Sequence, residues 1–369
     1  MRYRVRGVSA ALAAAVLAAG FVVPARAGEC TPSPENDAAP KTQDLSGLRG
    51  PNGEVLEGHY ALPPEDLPTT MVVLMHGYRN RSGSWVCHLL DAAAHGAVAV
   101  AMDYRGTGPA PDNRGWFVRE GAQDSVLAAQ YFLQRFPSIR KVAILGVSMG
   151  GNSSGLAVAM KATRPDSTTP LFDYWIDVEG ATNTIETYHE GLAVGASGNV
   201  YAAGAAEDIE AECGGKTPKE DPACYQSLAV VAQVESIAAS GVKGVVVVHG
   251  LDDGLVPYNQ GREIATALRA TGIPTDFYTV ARRNDSTNPD SAQDEGGTTL
   301  SENAGNPVFG AAGQEYPRPL AGHGWEGSDT QLVIATGFAR LWDLLDEGGA
   351  VPANHEFLVD AEDGTTPLA

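Results

Sequence analysis

The sequence predicts an α/β fold: a mostly parallel central sheet with helices on both faces and a small cap inserted into it. Three observations carry this expectation. Short runs of continuous apolar character recur along the chain, as in strands buried on both faces. Longer amphipathic stretches separate them, so strands alternate with helices. Glycine, 43 of 369 residues, punctuates the changes of direction without any G-X-Y period, which excludes a collagen-like chain.

The amino-terminal elements are not part of this alternation. Arg2, Arg4 and Arg6 precede an almost wholly apolar or small run from Val8 to Val23, and Ala25-Arg26-Ala27 follows. That pattern predicts an export signal over 1–27, cleaved before Gly28. The run is shorter than the ~20 residues of a membrane span, and no later segment is apolar enough to cross a bilayer. Glu29, before Cys30, does not suit a lipidated cysteine. The protein is therefore expected to be secreted, with no membrane attachment after cleavage. Residues 28–70 are rich in Pro, Asp and Gly and read as having at most an edge hairpin near Val55 to Ala61, with 28–54 as an extension before the domain.

From there the strand and helix signals follow in order. Met71 to Met75 is short and rich in apolar and β-branched side chains, and His76-Gly77 turns the chain. Ala97 to Met102 is the next strand, ending at Asp103 and the turn Arg105-Gly-Thr-Gly108. Asp124 to Phe136 has helical character and stops at Pro137. Lys141 to Leu145 is a strand, Met149 to about Ala162 a helix, and Asp173 to Val178 a strand. Four consecutive valines, Val245 to Val248, precede His249-Gly250. Gln260 to Ala270 reads as a helix, Pro274 to Val280 as a strand, and Thr330 to Leu345 as a closing helix. The α/β domain is thus expected over 55–350, with 351–369 as a tail.

Two stretches interrupt the pattern. Residues 184–240 lie between strands and are expected to form the cap. Residues 284–321 carry six acidic groups against the single basic Arg318, with many Gly, Asn and Pro, and read as an acidic loop insertion. The four cysteines fit an oxidising compartment and two disulfides. Cys213 and Cys224 flank a short Gly- and Pro-rich segment, and Cys30 with Cys87 would then tie the extension to the body. The spacing is compatible with the other two pairings as well. No C-x-x-C or H-x₃-H spacing occurs, so no metal is implied.

Charge excludes further classes. The formal charge is −20, and losing the four arginines of 1–27 takes it to −24. Nucleic acid and anionic membranes need clustered Lys and Arg, so neither is expected as a partner.

The feature that carries chemistry is Gly146-Val147-Ser148-Met149-Gly150-Gly151. A bare G-x-S-x-G means little in a glycine-rich chain. Here the serine directly follows a strand and directly precedes a helix, the sharp turn on which a nucleophilic hydroxyl is exposed. A serine hydroxyl needs a base, and the base needs an orienting carboxylate. Of the eight histidines, His59 precedes the sheet, His88 and His95 belong in or near the first helix, and His189 and His355 lie in the cap and tail. His76 and His249 end strands before glycine, as turn-packing residues do. His323, in Ala321-Gly-His-Gly-Trp325, sits on a glycine-rich loop before the last helix, where the order Ser, acid, His places the base. The acid should follow the strand after the cap. His249-Gly-Leu-Asp-Asp-Gly-Leu-Val-Pro257 offers Asp252 and Asp253, of which Asp253 is favoured; Asp177 or Glu179, ending the preceding strand, is a third option. The backbone N–H groups of Met149 and Tyr78 are placed to form an oxyanion hole. Trp85, Trp116, Phe117 and Trp325 are aromatic candidates for a pocket, though such residues more often fill a core.

With these motifs in place, the chain from about Val55 to Leu345 resembles an α/β-hydrolase-fold serine hydrolase. His76-Gly77, Asp103 to Gly108, Gly146 to Gly151, His249 to Pro257 and Gly322 to Gly324 occur in that family's order. The pattern H-G-x-x-D-x-x-V-P implies Asp253 as the acid. Val256 to Gln260, a helix and Gly272-Ile-Pro274 are similar to prolyl-oligopeptidase-like and dienelactone-hydrolase-like catalytic domains. Two departures stand out. The chain leaves no room for the amino-terminal propeller of large oligopeptidases, and 70 residues separate Asp253 from His323.

The function expected is a secreted hydrolase of carboxylic esters, acting through Ser148, His323 and Asp253, with no cofactor. The cap's acidic residues, Glu186, Glu190, Glu207, Asp208, Glu210, Glu212, Glu220 and Asp221, could instead attract the ammonium of a peptide, the mark of an aminopeptidase. A non-catalytic binding protein on the same fold is the other alternative.

Overall fold

The computed structural model describes residues 41–64, 67–107, 114–196, 199–251, 253–280, 323, 324, 326, 331–360 and 364–368. Its centre is the alternation seen in the sequence. Strands β3 (Thr70–Met75), β4 (Ala97–Met102), β5 (Lys141–Val147), β6 (Tyr174–Val178), β7 (Gly244–Gly250) and β8 (Thr275–Val280) form the parallel body of the sheet. The order across the sheet is β4-β3-β5-β6-β7-β8, so the chain starts near one edge, doubles back once and then advances steadily.

Alternate residues of each strand serve opposite faces. In β5, Val142 and Ile144 join one apolar cluster, and Ala143, Leu145 and Val147 join the other. The valines of β7 divide in the same way, Val245 and Val247 from Val246 and Val248. The first cluster is covered by α2 (Val118–Arg135), α3 (Met149–Ala159) and α8 (Tyr258–Ala270). The second is covered by α1 (Val86–Ala94) and α9 (Leu332–Leu345). Burial of β-branched side chains on both faces accounts for the unbroken apolar runs.

The sheet outruns the expected 55–350 domain at both ends. Thr42–Asp44, placed by sequence in an extension, is β1 and pairs antiparallel with β2 (Gly58–Ala61), which pairs antiparallel with β4. Glu356–Asp360, placed in a tail, is β9 and pairs parallel with β8; Gly364–Leu368 is β10, antiparallel to β9. Both ends lacked a sequence signal because β1 is polar and exposed and the apolar run of β9 is only Phe357 to Val359. Tertiary bonds compensate: Asp276 Oδ1 accepts from the N–H of Ala353 and of His355, each at 2.9 Å. Helix α2 also starts six residues earlier than its expected Asp124. Val118 and Ala122 are buried, and Gly121 lies so close to the Tyr104 ring that a Cβ there would come within 2.8 Å of it.

Residues 184–240 form a helical cap between β6 and β7: α4 (Thr184–Gly195), α5 (Val200–Glu212), α6 (Pro222–Leu228) and α7 (Val234–Ala238). Asn183, Asn199 and Asp221 cap the first three through their side chains. Helices α4 and α5 approach closely where Gly191 and Gly195 face Ala202, Ala203 and Ala206. Cys213 and Cys224 are bonded, joining the end of α5 to α6. Cys87 is not a free thiol, and its expected partner Cys30 lies outside the described residues, as do 1–27 and the 284–321 insertion. No helix among the described residues is long and apolar enough to cross a membrane.

Candidate active site

Ser148 occupies the turn between β5 and α3 with φ 58° and ψ −125°, a conformation strained for a residue with a Cβ. The surroundings hold it there. Its N–H donates to Val178 O (3.0 Å), and its carbonyl accepts from Ala181 N (3.2 Å) and Gly151 N (2.9 Å). A Cβ at Gly146 would lie 2.0 Å from Gly150 O, and one at Gly150 would lie 2.1 Å from Met75 O. Both glycines are therefore needed by space, as the motif predicts. Ser148 itself is 9% exposed at the carboxyl end of the sheet.

Asp253 and His323, 70 residues apart in the chain, meet there: His323 Nδ1 lies 2.8 Å from Asp253 Oδ2. The other oxygen, Oδ1, accepts from the N–H of Leu255 (2.8 Å) and Val256 (2.9 Å), an Asp-led turn that orients the carboxylate. Burial alone would raise the Asp253 pKa. The charge of His323 and hydrogen bonds from His249 and His323 overcome this and hold it well below the usual carboxylate range. With Nδ1 committed to Asp253, Nε2 of His323 is the nitrogen left for proton transfer. Asp252 lies outside the described residues.

His249 packs under this turn, as expected of it: Nε2 lies 2.9 Å from Val256 O and 3.5 Å from Asp253 Oδ2. His76 is likewise a turn residue, stacked on Tyr104 at 3.9 Å with Nδ1 2.9 Å from Gly77 O. Burial pushes its pKa down to about 4, so the ring stays neutral at physiological pH. The Tyr104 hydroxyl donates to His76 O at 2.9 Å, which fixes the loop carrying Tyr78. Gly77 abuts the nucleophile, since a Cβ there would come within 3.3 Å of Ser148 Cβ. Among the described residues neither the Tyr78 nor the Met149 N–H has an acceptor in the protein, as a pair of oxyanion donors requires.

Two buried carboxylates flank this set. Glu179, the sequence's third option for the acid, follows β6 with φ 49°. Its Oε1 accepts from Gly250 N (3.0 Å), its Oε2 accepts from Gly324 N, and Oε2 lies 3.6 Å from His323 Nδ1. Burial and the neighbouring Asp253 charge push its pKa up to about 8. Glu326 had no sequence-level signal beyond lying three residues after His323; its Oε1 accepts from Gly77 N at 2.9 Å. Asp177, the remaining alternative, is fully buried but makes no hydrogen bond among the described residues. Glu179, Asp253 and His323 also form the one group of metal-ligand type among the described residues, with donor atoms within 4.8 Å. Every carboxylate oxygen in it already accepts a hydrogen bond from the protein, an arrangement suited to orienting a proton carrier.

A narrow cavity opens beside Ser148, between the sheet and the cap. Tyr78, Trp116, Tyr201, Ala202, Ala205 and Val256 make it mainly apolar, and Glu190 is the charged residue in its wall. Of the four aromatic candidates, Trp116 belongs to this cavity, Trp85 to the core and Phe117 to a separate surface hollow; Trp325 lies outside the described residues. That hollow, bordered by Glu54, Arg81, Asp103, Arg105 and Glu212, is larger but contains none of Ser148, Asp253 and His323. A second Ser–His–Asp cluster, Ser82 with His59 (2.7 Å) and Asp103 (2.6 Å), is structural: Ser82 is completely buried and its hydroxyl donates to Asp103.

Comparison with known proteins agrees with this architecture. The fold is similar to that of acylaminoacyl peptidase from Pyrococcus horikoshii, at 17% identity over 66% of this chain and a TM-score of 0.51. It is also similar to brefeldin A esterase, a bacterial homologue of human hormone-sensitive lipase (18%, 70% of this chain and 72% of the esterase, TM-score 0.50). Puromycin hydrolase is a third (16%, 67% of this chain and 36% of that one, TM-score 0.50). The chain spans only 37% of the length of the Pyrococcus peptidase. No curated protein matches the sequence. The prolyl oligopeptidase family matches residues 82–294, more than half of the chain, a span that includes Ser148 and Asp253 and stops short of His323. The chain therefore belongs to the prolyl oligopeptidase family of serine hydrolases, built on the α/β-hydrolase fold.

Proposed function

We propose that the protein is a secreted esterase that cleaves carboxylic esters through an acyl-enzyme on Ser148. The observation carrying this reading is the pairing of His323 Nδ1 with Asp253 Oδ2 at 2.8 Å, at the end of the sheet where the strained Ser148 stands. His323 Nε2 takes the hydroxyl proton as Ser148 Oγ attacks the ester carbonyl carbon. The carbonyl π-bond electrons move to oxygen, and the N–H groups of Tyr78 and Met149 stabilise that oxyanion by about 3 kcal/mol each. Collapse expels the alcohol, which receives the proton from His323. Water, deprotonated by the same imidazole, then attacks the acyl-enzyme and releases the acid and Ser148. Asp253 holds the imidazole in the required tautomer and stabilises its cation. The mainly apolar cavity favours an apolar acyl group. Secretion rests on the character of residues 1–27 and on the disulfide in the cap.

A peptidase is the second reading, favoured by Glu190, the charged residue in the wall of the same cavity, whose Oε2 accepts from Gln260 Nε2 at 2.7 Å. An ammonium on the substrate would pair with it, as an aminopeptidase requires. Hydrolysis of p-nitrophenyl acyl esters and of aminoacyl p-nitroanilides by one preparation separates the two. The esterase reading predicts ester kcat/KM at least about 100-fold above that of the anilides. Anilide turnover equal to or above ester turnover, with loss on Glu190→Gln, would establish the peptidase instead. Activity recovered in the culture medium with Gly28 as the first residue tests export, and retention in the cytoplasm would refute it.

A further inference from the structure

Three loops make up the proposed site. One carries Tyr78, one carries Asp253, and the segment from His323 to Glu326 carries the base. The base segment reaches the other two through side chains outside the triad. Glu179 Oε1 accepts from Gly250 N (3.0 Å), at the start of the acid loop, while its Oε2 accepts from Gly324 N, beside His323. Glu326 Oε1 accepts from Gly77 N (2.9 Å), next to the oxyanion donor Tyr78. Glu179 is completely buried and Glu326 is 2% exposed, so these bonds face no competition from solvent.

The local geometry leaves little slack. A Cβ at Gly324 would sit 3.0 Å from Glu179 Oε2, and one at Gly77 would sit 3.5 Å from Glu326 Oε2. Glu179 makes these contacts from a backbone φ of 49°, strained for a residue with a Cβ. Gly77 N–H, spent on Glu326, is not an oxyanion donor, which leaves that role to the Tyr78 N–H next to it.

We propose that Glu179 and Glu326 are positioning residues that clamp His323 and Gly324, beside Glu326, between the acid loop and the oxyanion loop. The base then cannot reach its working place without the oxyanion donor also being set. This rests on the reading of Ser148, Asp253 and His323 as the triad. Neither glutamate lines the cavity beside Ser148; Glu179 acts through the Gly250 and Gly324 N–H groups, and Glu326 through the Gly77 N–H and the Asn80 side chain. Glutamine at 326 still offers one acceptor oxygen for Gly77, and the Asn80 side chain, which also donates to Glu326, can turn its own oxygen toward the new amide. At 179 it can serve only one of two donors, so the same conservative change has opposite consequences at the two sites.

The test uses the full mature chain, with kcat expressed per active site titrated by a fluorophosphonate, and with the Ki of an alkyl boronic acid measured beside KM. Glu326→Met keeps length and removes the acceptor. It should lower kcat by about 10- to 100-fold and weaken the boronate by a similar factor, with KM within about twofold. Glu326→Gln should recover most of that loss. Measured above pH 8, where Glu179 is ionised, Glu179→Gln should lower kcat by about tenfold at unchanged KM, against about 10³-fold or more for Asp253→Asn. A merely structural role lowers the titrated fraction and Tm but leaves kcat per site and boronate affinity within about twofold, and that result overturns the clamp. If Glu326→Met does not fold, the glutamine variants decide. Recovery at 326 with loss at 179 supports the clamp, and any other pattern overturns it. Ser148→Ala separates this from the parent reading. Turnover surviving that change defeats the triad and the clamp together, while a dead Ser148→Ala beside normal glutamate variants defeats the clamp alone.

Discussion

Asp253 and Asp177 show how differently two buried carboxylates behave. Asp253 has a hydrogen bond on each oxygen and stays ionised; Asp177, equally buried, has none among the described residues, and burial pushes its pKa up to about 7. Asp253→Asn should keep the fold and lower kcat by about 10³- to 10⁴-fold, because the amide no longer fixes the imidazole tautomer; steady-state kinetics on an ester checks this. For Asp177 the consequence is a pH-dependent stability. Its folded pKa lies above the ordinary 3.8, so the folded state holds an extra proton in between and loses stability as pH rises through that window. Asp177→Asn should remove a penalty on the order of 4 kcal/mol that develops between pH 4 and pH 8. Denaturant midpoints at both pH values read this out, with wild type and variant converging at the acid end. At this scale the sequence was most legible where a residue is bound to a local motif. Ser148, Asp253 and His323 each sit in a glycine-marked turn. The contacts of Glu179 and Glu326 are made across 71 to 249 residues of chain, and no local pattern encodes them.

Among the elements, the turn at Ser148 and the cap carry distinct liabilities. Gly150→Ala would place a methyl 2.1 Å from the rigid carbonyl of Met75, so β3 and α3 must separate. A loss of about 3 kcal/mol, seen by thermal or denaturant unfolding, is expected, together with lower activity per molecule. The Cys213–Cys224 bond closes a short loop in the cap, away from Ser148. Replacing both with serine should cost roughly 3 kcal/mol by the loop-entropy relation, and limited proteolysis should then cut within 213–224 first. Elements marked by burial on both faces were readable in outline from sequence, with β4 matching residue for residue. The start of α2 was not, because Gly121 is a poor helix former tolerated only for its contact with Tyr104.

For the whole molecule, the sheet is wider than its apolar signal. Strand β9 reaches its place against β8 through Asp276 and the Arg269–Glu356 pair (2.9 Å) rather than through a long apolar run. Ending the chain after residue 350 should expose the β8 edge and promote aggregation, which size-exclusion chromatography would register. The acidic balance, −20 for the whole chain, suits a solvated surface, against which the mainly apolar cavity beside Ser148 stands out. Ser148, served by His323 and Asp253, is then a working nucleophile. Incubation of the folded protein with a fluorophosphonate, followed by peptide mass mapping, tests it most directly. One adduct per chain is expected, on Ser148, absent from Ser148→Ala and strongly slowed in Asp253→Asn. An unlabelled native protein, or an adduct on another serine that persists in Ser148→Ala, would contradict it.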